Sequence, residues 1–291
     1  MKLFIGTLYT IENEFEECKS AINKQTYKNF EHFIFKGLPN KKAHDVLYCT
    51  FMERSKEFDV LVKVDADMVI EDKNLFAKIV TKFQMLDSLK DLEIAVYDFF
   101  SDQLIWGMHA YRNTVRWQRT EEALFVDACL LKPGENIHDD SELAPAAIHC
   151  KNPSPFQAFH YGVHKALKTV QPGRIKVNKV QSRAHWNIVE RTRQNFLRTG
   201  DRRIGLAVLG AELALKGDIY PCHVSYSNPL LEKLFEQYES LDGSELEHEI
   251  ARVSMKNFAF LPSALRRRFL VAVFKLRLLL ADKVDNNYHT P

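Results

Sequence analysis

Asp65 and Asp67 stand two positions apart directly after the apolar run Val60 to Val64. Residues two apart in an extended segment point to the same side, so both carboxylates can face one point. Two hard oxygen donors converging at a strand end suit Mg²⁺ or Mn²⁺, above all where phosphates complete the coordination shell. A solvated acidic turn is the plainer reading of the same residues. Downstream, His149 opens a run to His164 that is dense in functional side chains. His149 is expected to supply a third metal ligand or an acceptor contact, with His185 competing for the ligand role. His160 and His164 are four apart on an expected helix and share a face. They lack both the HExxH acid and a third ligand, so zinc is not expected there.

The elements that must position these residues follow an α/β pattern. Short apolar runs alternate with helical periodicity over the first hundred residues, the signature of a parallel sheet with helices between strands. Leu3 to Ile5 reads as a first strand and Glu31 to Phe35 as a second. Asn13, with Glu16 three residues on, is expected to cap a helix whose apolar face is Phe15, Cys18 and Ile22. Ala43 to Glu57 reads as a helix and Val60 to Val64 as the strand that ends at Asp65. Phe76, Ile79, Val80, Phe83 and Leu86 mark a further helix. Leu92 to Val96 and Leu124 to Leu131 are the next strand candidates. Open α/β sheets bind ligands at the carboxyl ends of their strands, which is where the acidic pair falls. Ser154-Pro155 and Asn228-Pro229 are N-cap and N1 pairs for later helices. A soft boundary is expected near residue 204, with an α/β region over 1–204 and a mostly helical part over 205–291.

Glu14 to Phe35 contains Cys18-Lys-Ser-Ala-Ile22-Asn-Lys-Gln25-Thr26-Tyr27-Lys-Asn29-Phe30-Glu31. This stretch resembles the first β-α-β segment of family 2-like glycosyltransferases of the GT-A fold, in which a helix ending in a Ser-Ile-x-x-Gln-Thr-Tyr-like run precedes a second strand and then a strand carrying DxD. Both pieces occur here in that order, and the resemblance covers residues 1 to 90. It implies a Rossmann-like nucleotide-sugar-binding domain, a nucleotide-diphosphate sugar as donor, and Asp65 and Asp67 holding Mn²⁺ or Mg²⁺ across the two phosphates. Departure of a nucleoside diphosphate builds negative charge, which a divalent cation stabilises. Thr7 and Tyr9 occupy the place of a nucleoside-contacting turn; Tyr9 packing on the sheet edge is the alternative. Glu12 is a weaker donor-side candidate. Lys36 and Gly37 replace an acidic pair of many relatives, so recognition of the base must differ. Lys42, between Lys41 and His44, could meet phosphate or simply be solvated.

An inverting transfer requires a general base for the acceptor hydroxyl. By analogy with the family's downstream acidic pair, Asp140 is expected in that role, with Asp139 and Asp127 as alternatives; a polar loop is the competing reading. Trp106, His109, Tyr111, Arg112, Arg116 and Trp117 mix aromatic faces with cationic donors, which suits stacking on sugar rings. The same mixture can bind single-stranded nucleic acid. Without an RNA-binding motif and with a net charge of +2, no nucleic-acid partner is expected. Gln157 and His160 are expected to line the acceptor pocket alongside Trp106. Six arginines and two acids lie between Arg183 and Arg203, marking a basic surface.

The five cysteines are scattered without a CxxC pair, which argues against a disulfide framework and for a reducing, cytoplasmic setting. No secretory leader and no membrane-spanning run is read. Leu265 to Ala281 carries Arg266, Arg267, Arg268, Lys275 and Arg277 with no acid, while Leu265, Phe269, Ala272, Leu276 and Leu279 share a face. Such a basic amphipathic helix can lie on an anionic bilayer at the inner face of a cell membrane, close a domain or form a dimer contact. The leading expectation is a metal-dependent glycosyltransferase of polysaccharide biosynthesis with a glycan or lipid-linked acceptor. A haloacid dehalogenase-type phosphatase is the enzymatic rival, although that fold places its DxD strand first and here two strands precede it. A nucleotide-sugar-binding module without turnover is the non-enzymatic one.

Overall fold

The computed structural model describes residues 1–118, 124–126, 135–139, 141–172, 174, 176–217, 219, 225–226 and 228–285. The chain is mixed α/β and divides into two compact units, Met1–Ser154 and Pro155–Pro291. The division falls between Ser154 and Pro155, upstream of the boundary expected near residue 204. Helices of the 155–204 segment pack with those that follow, and that is what moves it.

The first unit runs β1 (Leu3–Tyr9), α1 (Phe15–Asn23), β2 (Phe30–Lys36), α2 (Asn40–Glu53), β3 (Val60–Lys63), β4 (Met68–Val69), α3 (Leu75–Met85), β5 (Leu89–Asp98), β6 (Gln103–Arg112), β7 (Glu135–Asp139) and β8 (Ile148–His149). The sheet order is β2-β1-β3-β6-β5-β8-β4, with β7 also on β5. β1 pairs in parallel with both β2 and β3, so the first crossover carries the chain to one side of β1 and the second returns it to the other. Open α/β sheets bind ligands at the carboxyl ends of the strands where the direction changes in this way. Leu3 to Thr7 and Val60 to Lys63 are buried, as interior strands covered on both faces must be. Phe4, Leu47, Tyr48, Phe51, Phe58, Leu61, Tyr111 and Trp117 pack into one core between the sheet and α2, where Tyr48 and Trp117 stack at 4.4 Å. Gly6 permits this approach, because a Cβ there would strike Leu47.

Two further sequence expectations change. Asn13 does not cap α1, which starts at Phe15 with Glu14 in the cap position and no side-chain cap. Of the expected strand at Leu124 to Leu131, residues 124–126 are not strand, and 127–131 lie outside the described residues. β6 was read only as a mixture of aromatic and basic residues; it is a ten-residue antiparallel strand between β3 and β5.

The second unit is helical: α4 (Pro155–Val170), α5 (Lys179–Thr199), α6 (Arg202–Lys216), α7 (Pro229–Glu236), α8 (Gly243–Lys256) and α9 (Ser263–Asp285). α6 is buried on all sides from Ile204 to Leu215 and forms its axis. Gly162 and Gly210 let α4 and α6 touch backbone to backbone, since a Cβ at either would run into the other helix's carbonyl. Asn178, Asp201, Asn228 and Asp242 cap their helices with side-chain oxygens. Among the described residues, no helix is long and apolar enough to cross a membrane.

Candidate functional site

The chain leaves β3 at Lys63, passes Asp65 and Asp67, and immediately forms β4, whose Met68 pairs with His149 of β8. The Cys150 amide donates to the Asp67 carbonyl at 2.8 Å. β8 in turn lies parallel on β5, with Asp98 opposite His149. Two short strand pairings therefore bring residues far apart in sequence to one point.

Asp67 Oδ2 lies 3.4 Å from His149 Nε2 and 3.5 Å from Cys150 Sγ. On the other side of the imidazole, Nδ1 is 2.7 Å from Asp98 Oδ1. Asp98 is fully buried, and its Oδ2 accepts from the Ser101 amide and hydroxyl. A carboxylate behind one ring nitrogen, turning the other toward an open position, is how proteins orient a metal-ligating histidine. Among the described residues, Asp67, His149 and Cys150 form a group that could hold a metal ion, their ligand atoms all within 4.8 Å of one another. The donor set fits a divalent cation: a carboxylate oxygen and an imidazole nitrogen suit Mn²⁺, and the thiol extends the range toward zinc.

The electrostatics point the same way. Burial opposes a charge on His149, but Cys150, Asp67 and Asp98 outweigh it and hold the imidazole pKa well above its ordinary value. Burial, then the charges of Asp67 and Asp65, push Glu12 up to about 7, against the Thr10 amide that donates to its carboxylate. Burial and the same acids raise the Cys18 thiol, and burial raises that of Cys150. Lys63 answers part of this negative charge, its Nζ 2.9 Å from Asp65 Oδ2. Asn13 and Glu14 hold the other wall: the Asn13 amide donates to the Asn152 carbonyl at 2.7 Å, and Glu14 accepts from the Asn152 amide at 2.8 Å. The residues expected to start a helix instead fasten the loop behind His149.

The structure brings Asp67 and His149 together with Cys150, and sets Glu12 within reach of the charges of Asp67 and Asp65. The segment turns after β3 rather than staying extended, and the Asp65 carboxylate pairs with Lys63 outside the ligand group. Thr7 and Tyr9 end β1 beside them, but Thr7 is buried with its hydroxyl 2.9 Å from His32 Nε2, and Tyr9 stacks on Phe15 at 3.8 Å. Lys42 is exposed in the first turn of α2, where β2 has just ended at the same sheet edge. Asp139 is not at the site. It pairs with Ile94, four residues before Asp98 on β5 and so about 13 Å away along the strand. It is buried and accepts from the Ser141 and Leu143 amides. Asp140 and Asp127 lie outside the described residues. Trp106 stands opposite Ala95, on the face of β5 away from Asp98, and meets His138 edge-on at 5.1 Å. Gln157 and His160 belong to the second unit and are buried, His160 stacked on Tyr226. His185 is also in the second unit; burial first, then Lys168 and Lys165, depress it to about 2.

No family model and no curated protein matches the chain. Among solved structures it is similar to "Crystal Structure of A197 from STIV", at 17% identity and a TM-score of 0.27, over 33% of this chain and 47% of that one.

Sequence reasoning missed Asp98, Cys150, Lys63 and Glu14. Asp98 had a signal: it is a second acid at the carboxyl end of an apolar strand, as Asp67 is after β3. Cys150 and Glu14 had none, because their roles arise from the β4–β8 pairing.

Proposed function

We propose that the protein is a metal-dependent glycosyltransferase of the GT-A fold that moves a sugar from a nucleotide-diphosphate donor to a glycan or lipid-linked acceptor. The convergence of Asp67, His149 and Cys150 where the turn after β3 meets β4 and β8 carries this reading. A divalent cation held there supplies positive charge to the departing diphosphate.

In this reading Asp67 and His149 are the direct ligands, and Asp98 fixes the tautomer of His149 by holding its Nδ1 at 2.7 Å. Asp65, tethered by Lys63, faces the ribose or a metal-bound water. Glu12, poised near neutrality, adjoins the same pocket from the end of β1. Thr7, engaged with His32, shapes the pocket wall, and Tyr9 offers its ring edge to the nucleoside. On the acceptor side, Lys63, His109, Glu93 and His138 form a polar row in register across β3, β6, β5 and β7, ending beside the half-exposed Trp106. An aromatic face beside hydrogen-bonding groups suits a sugar ring. Asp140 is the base this reading assigns.

The test is release of nucleoside diphosphate from UDP- and GDP-sugars with Mn²⁺ present, compared with Asp67→Asn and Asp140→Asn. The reading requires that Asp67→Asn lose both metal binding and turnover, and that Asp140→Asn lose turnover with donor binding retained. Release of phosphate from phosphomonoesters, or nucleotide bound away from Asp67, would overturn it.

A further inference from the structure

The last helix presents an apolar stripe to the outside of its unit. α9 turns Arg266, Leu270 and Phe274 inward, at 4%, 3% and 5% exposure. The stripe read from the sequence is outside: Leu265, Phe269 and Leu276 are 52%, 41% and 58% exposed, and Phe260 in the turn ahead is 66% exposed. At 3.6 residues per turn, Leu265, Phe269, Ala272 and Leu276 form one line, with Arg268 and Lys275 along its edge. The Phe258 ring, 4.5 Å from Phe269 and 6.0 Å from Phe260, joins the two ends of the apolar patch.

Along this stripe the helix itself supplies charge of one sign. Ser263 to Ala281 has no acid; Arg266 is taken up inward by Glu212 and Arg277 by the Lys216 carbonyl, which leaves Arg268 and Lys275 exposed beside the apolar residues. Arg267 donates to the Ser182 hydroxyl at 3.0 Å, and burial, then Arg268 and Arg183, lower its pKa. Like charges crowd that end of the helix. A twofold pairing of this face with a second copy would set those cations against one another. An apolar stripe edged by cations is complementary to a surface that is negative at its top and hydrocarbon beneath.

We propose that this face of α9 docks on an anionic lipid bilayer. Phe260, Leu265, Phe269 and Leu276 enter the boundary between headgroups and acyl chains, and Arg268 and Lys275 meet the phosphates. The proposal stands on exposure and charge in the second unit and is independent of the transferase reading.

The experiment is co-sedimentation of the full chain with vesicles of phosphatidylcholine alone and of phosphatidylcholine mixed with phosphatidylglycerol. The chain should partition onto the mixed vesicles, weakly onto the neutral ones, and less as salt rises. Phe269→Ser should lower partition roughly tenfold through lost apolar burial. Arg268→Gln with Lys275→Gln should lower it roughly fivefold per cation. All three positions are exposed, so thermal melts should match the parent; should Phe269→Ser fail to fold, the charge variant carries the test. Absence of binding, equal binding to both vesicle types, or binding unchanged by the variants overturns the proposal. So does a solution dimer that Phe269→Ser dissociates.

Discussion

Each unit holds a buried group of charged side chains, and the two are built on opposite principles. In the helical unit, Glu212 is fully buried in the middle of α6 and accepts from Arg266 at 2.7 and 2.9 Å. Arg193 also pairs with it, and Glu190 stands 3.8 Å from Arg266. Asn257 donates to a Glu212 carboxylate oxygen at 2.9 Å, and its own carbonyl accepts from Arg266 at 3.0 Å. Two acids thus face two bases, tying α5, α6 and α9 together. In the sheet unit, Glu12, Glu14, Asp65, Asp67 and Asp98 gather around Lys63 and His149, and the excess is negative. It registers as a raised pKa at His149 and, together with burial as the larger cause, as a carboxyl at Glu12 raised to about 7. A balanced group cross-links helices and has nothing further to bind. An unbalanced one is kept at a cost in repulsion, and that cost disappears when a cation arrives.

The largest effect should come from breaking the balanced group. Glu212→Gln leaves Arg193 and Arg266 short of a buried counter-charge, and losing one partner of such a group costs about 3–5 kcal/mol. Burial already lowers the pKa of both arginines, Arg193 to about 10, which shows how much they depend on the carboxylates. Urea unfolding followed by circular dichroism measures it. A change under about 1 kcal/mol would mean that the group is better solvated than its burial indicates.

Asp67→Asn should do the reverse. Removing one negative charge from a repulsive group leaves stability unchanged or raised, while Mn²⁺ affinity measured by calorimetry falls roughly a hundredfold or more. Changes behind a ligand typically cost 10–100-fold, and loss of a ligand costs at least as much. If Asp67→Asn instead destabilised the chain as Glu212→Gln does, the contrast between the two groups would collapse and the acids would be structural.

Glu12 gives the contrast a pH signature. Its pKa is about 7 in the folded chain against an ordinary 4.5, so folding favours the protonated form. Its contribution is full below pH 4.5, is lost as pH rises toward 7, and stays lost above. Glu12→Gln should therefore match the parent in thermal melts at pH 4 and exceed it at pH 8, by roughly 1–3 kcal/mol. Saturating Mn²⁺ at pH 8 should narrow that gap by stabilising the parent. Equal melting temperatures for both proteins at every pH would show that Glu12 is neither desolvated nor repelled by Asp67 and Asp65.

What the sequence revealed of these regions depends on how local each feature is. β1, β2, β3 and α3 were readable because runs such as Val60-Leu-Val-Lys63 and the Phe76, Ile79, Val80, Phe83 stripe carry their burial in their own spacing. Asp65, Asp67 and His149 were readable as ligand types. β4 and β8 were not, being two residues each and stabilised only by pairing with one another and with β5. The α9 stripe was readable from its spacing, but the inward face was not: Arg266 turns to the buried Glu212, and Leu265 and Phe269 stay outside.

Asp139 tests the same distinction at its smallest. By residue type it was a candidate base, yet its Oδ1 accepts from the Leu143 amide at 2.9 Å and the Ser141 amide at 3.2 Å, and Lys82 stands 3.7 Å from Oδ2. That is a turn stapled by a carboxylate with a cation beside it, locally balanced like the helical group. Asp139→Asn keeps an acceptor oxygen and should cost only a few tenths of a kcal/mol, whereas Asp139→Ala forfeits both hydrogen bonds and should cost about 1 kcal/mol. Neither should alter Mn²⁺ affinity, because β7 meets β5 at Ile94 and not at Asp98. A general base removed from a transfer reaction would instead lower kcat by roughly 10²–10⁴ with stability intact. Unfolding and turnover measured on the same pair of variants tell the two apart: loss of stability for alanine alone marks a staple, and loss of turnover for both would return Asp139 to the chemistry.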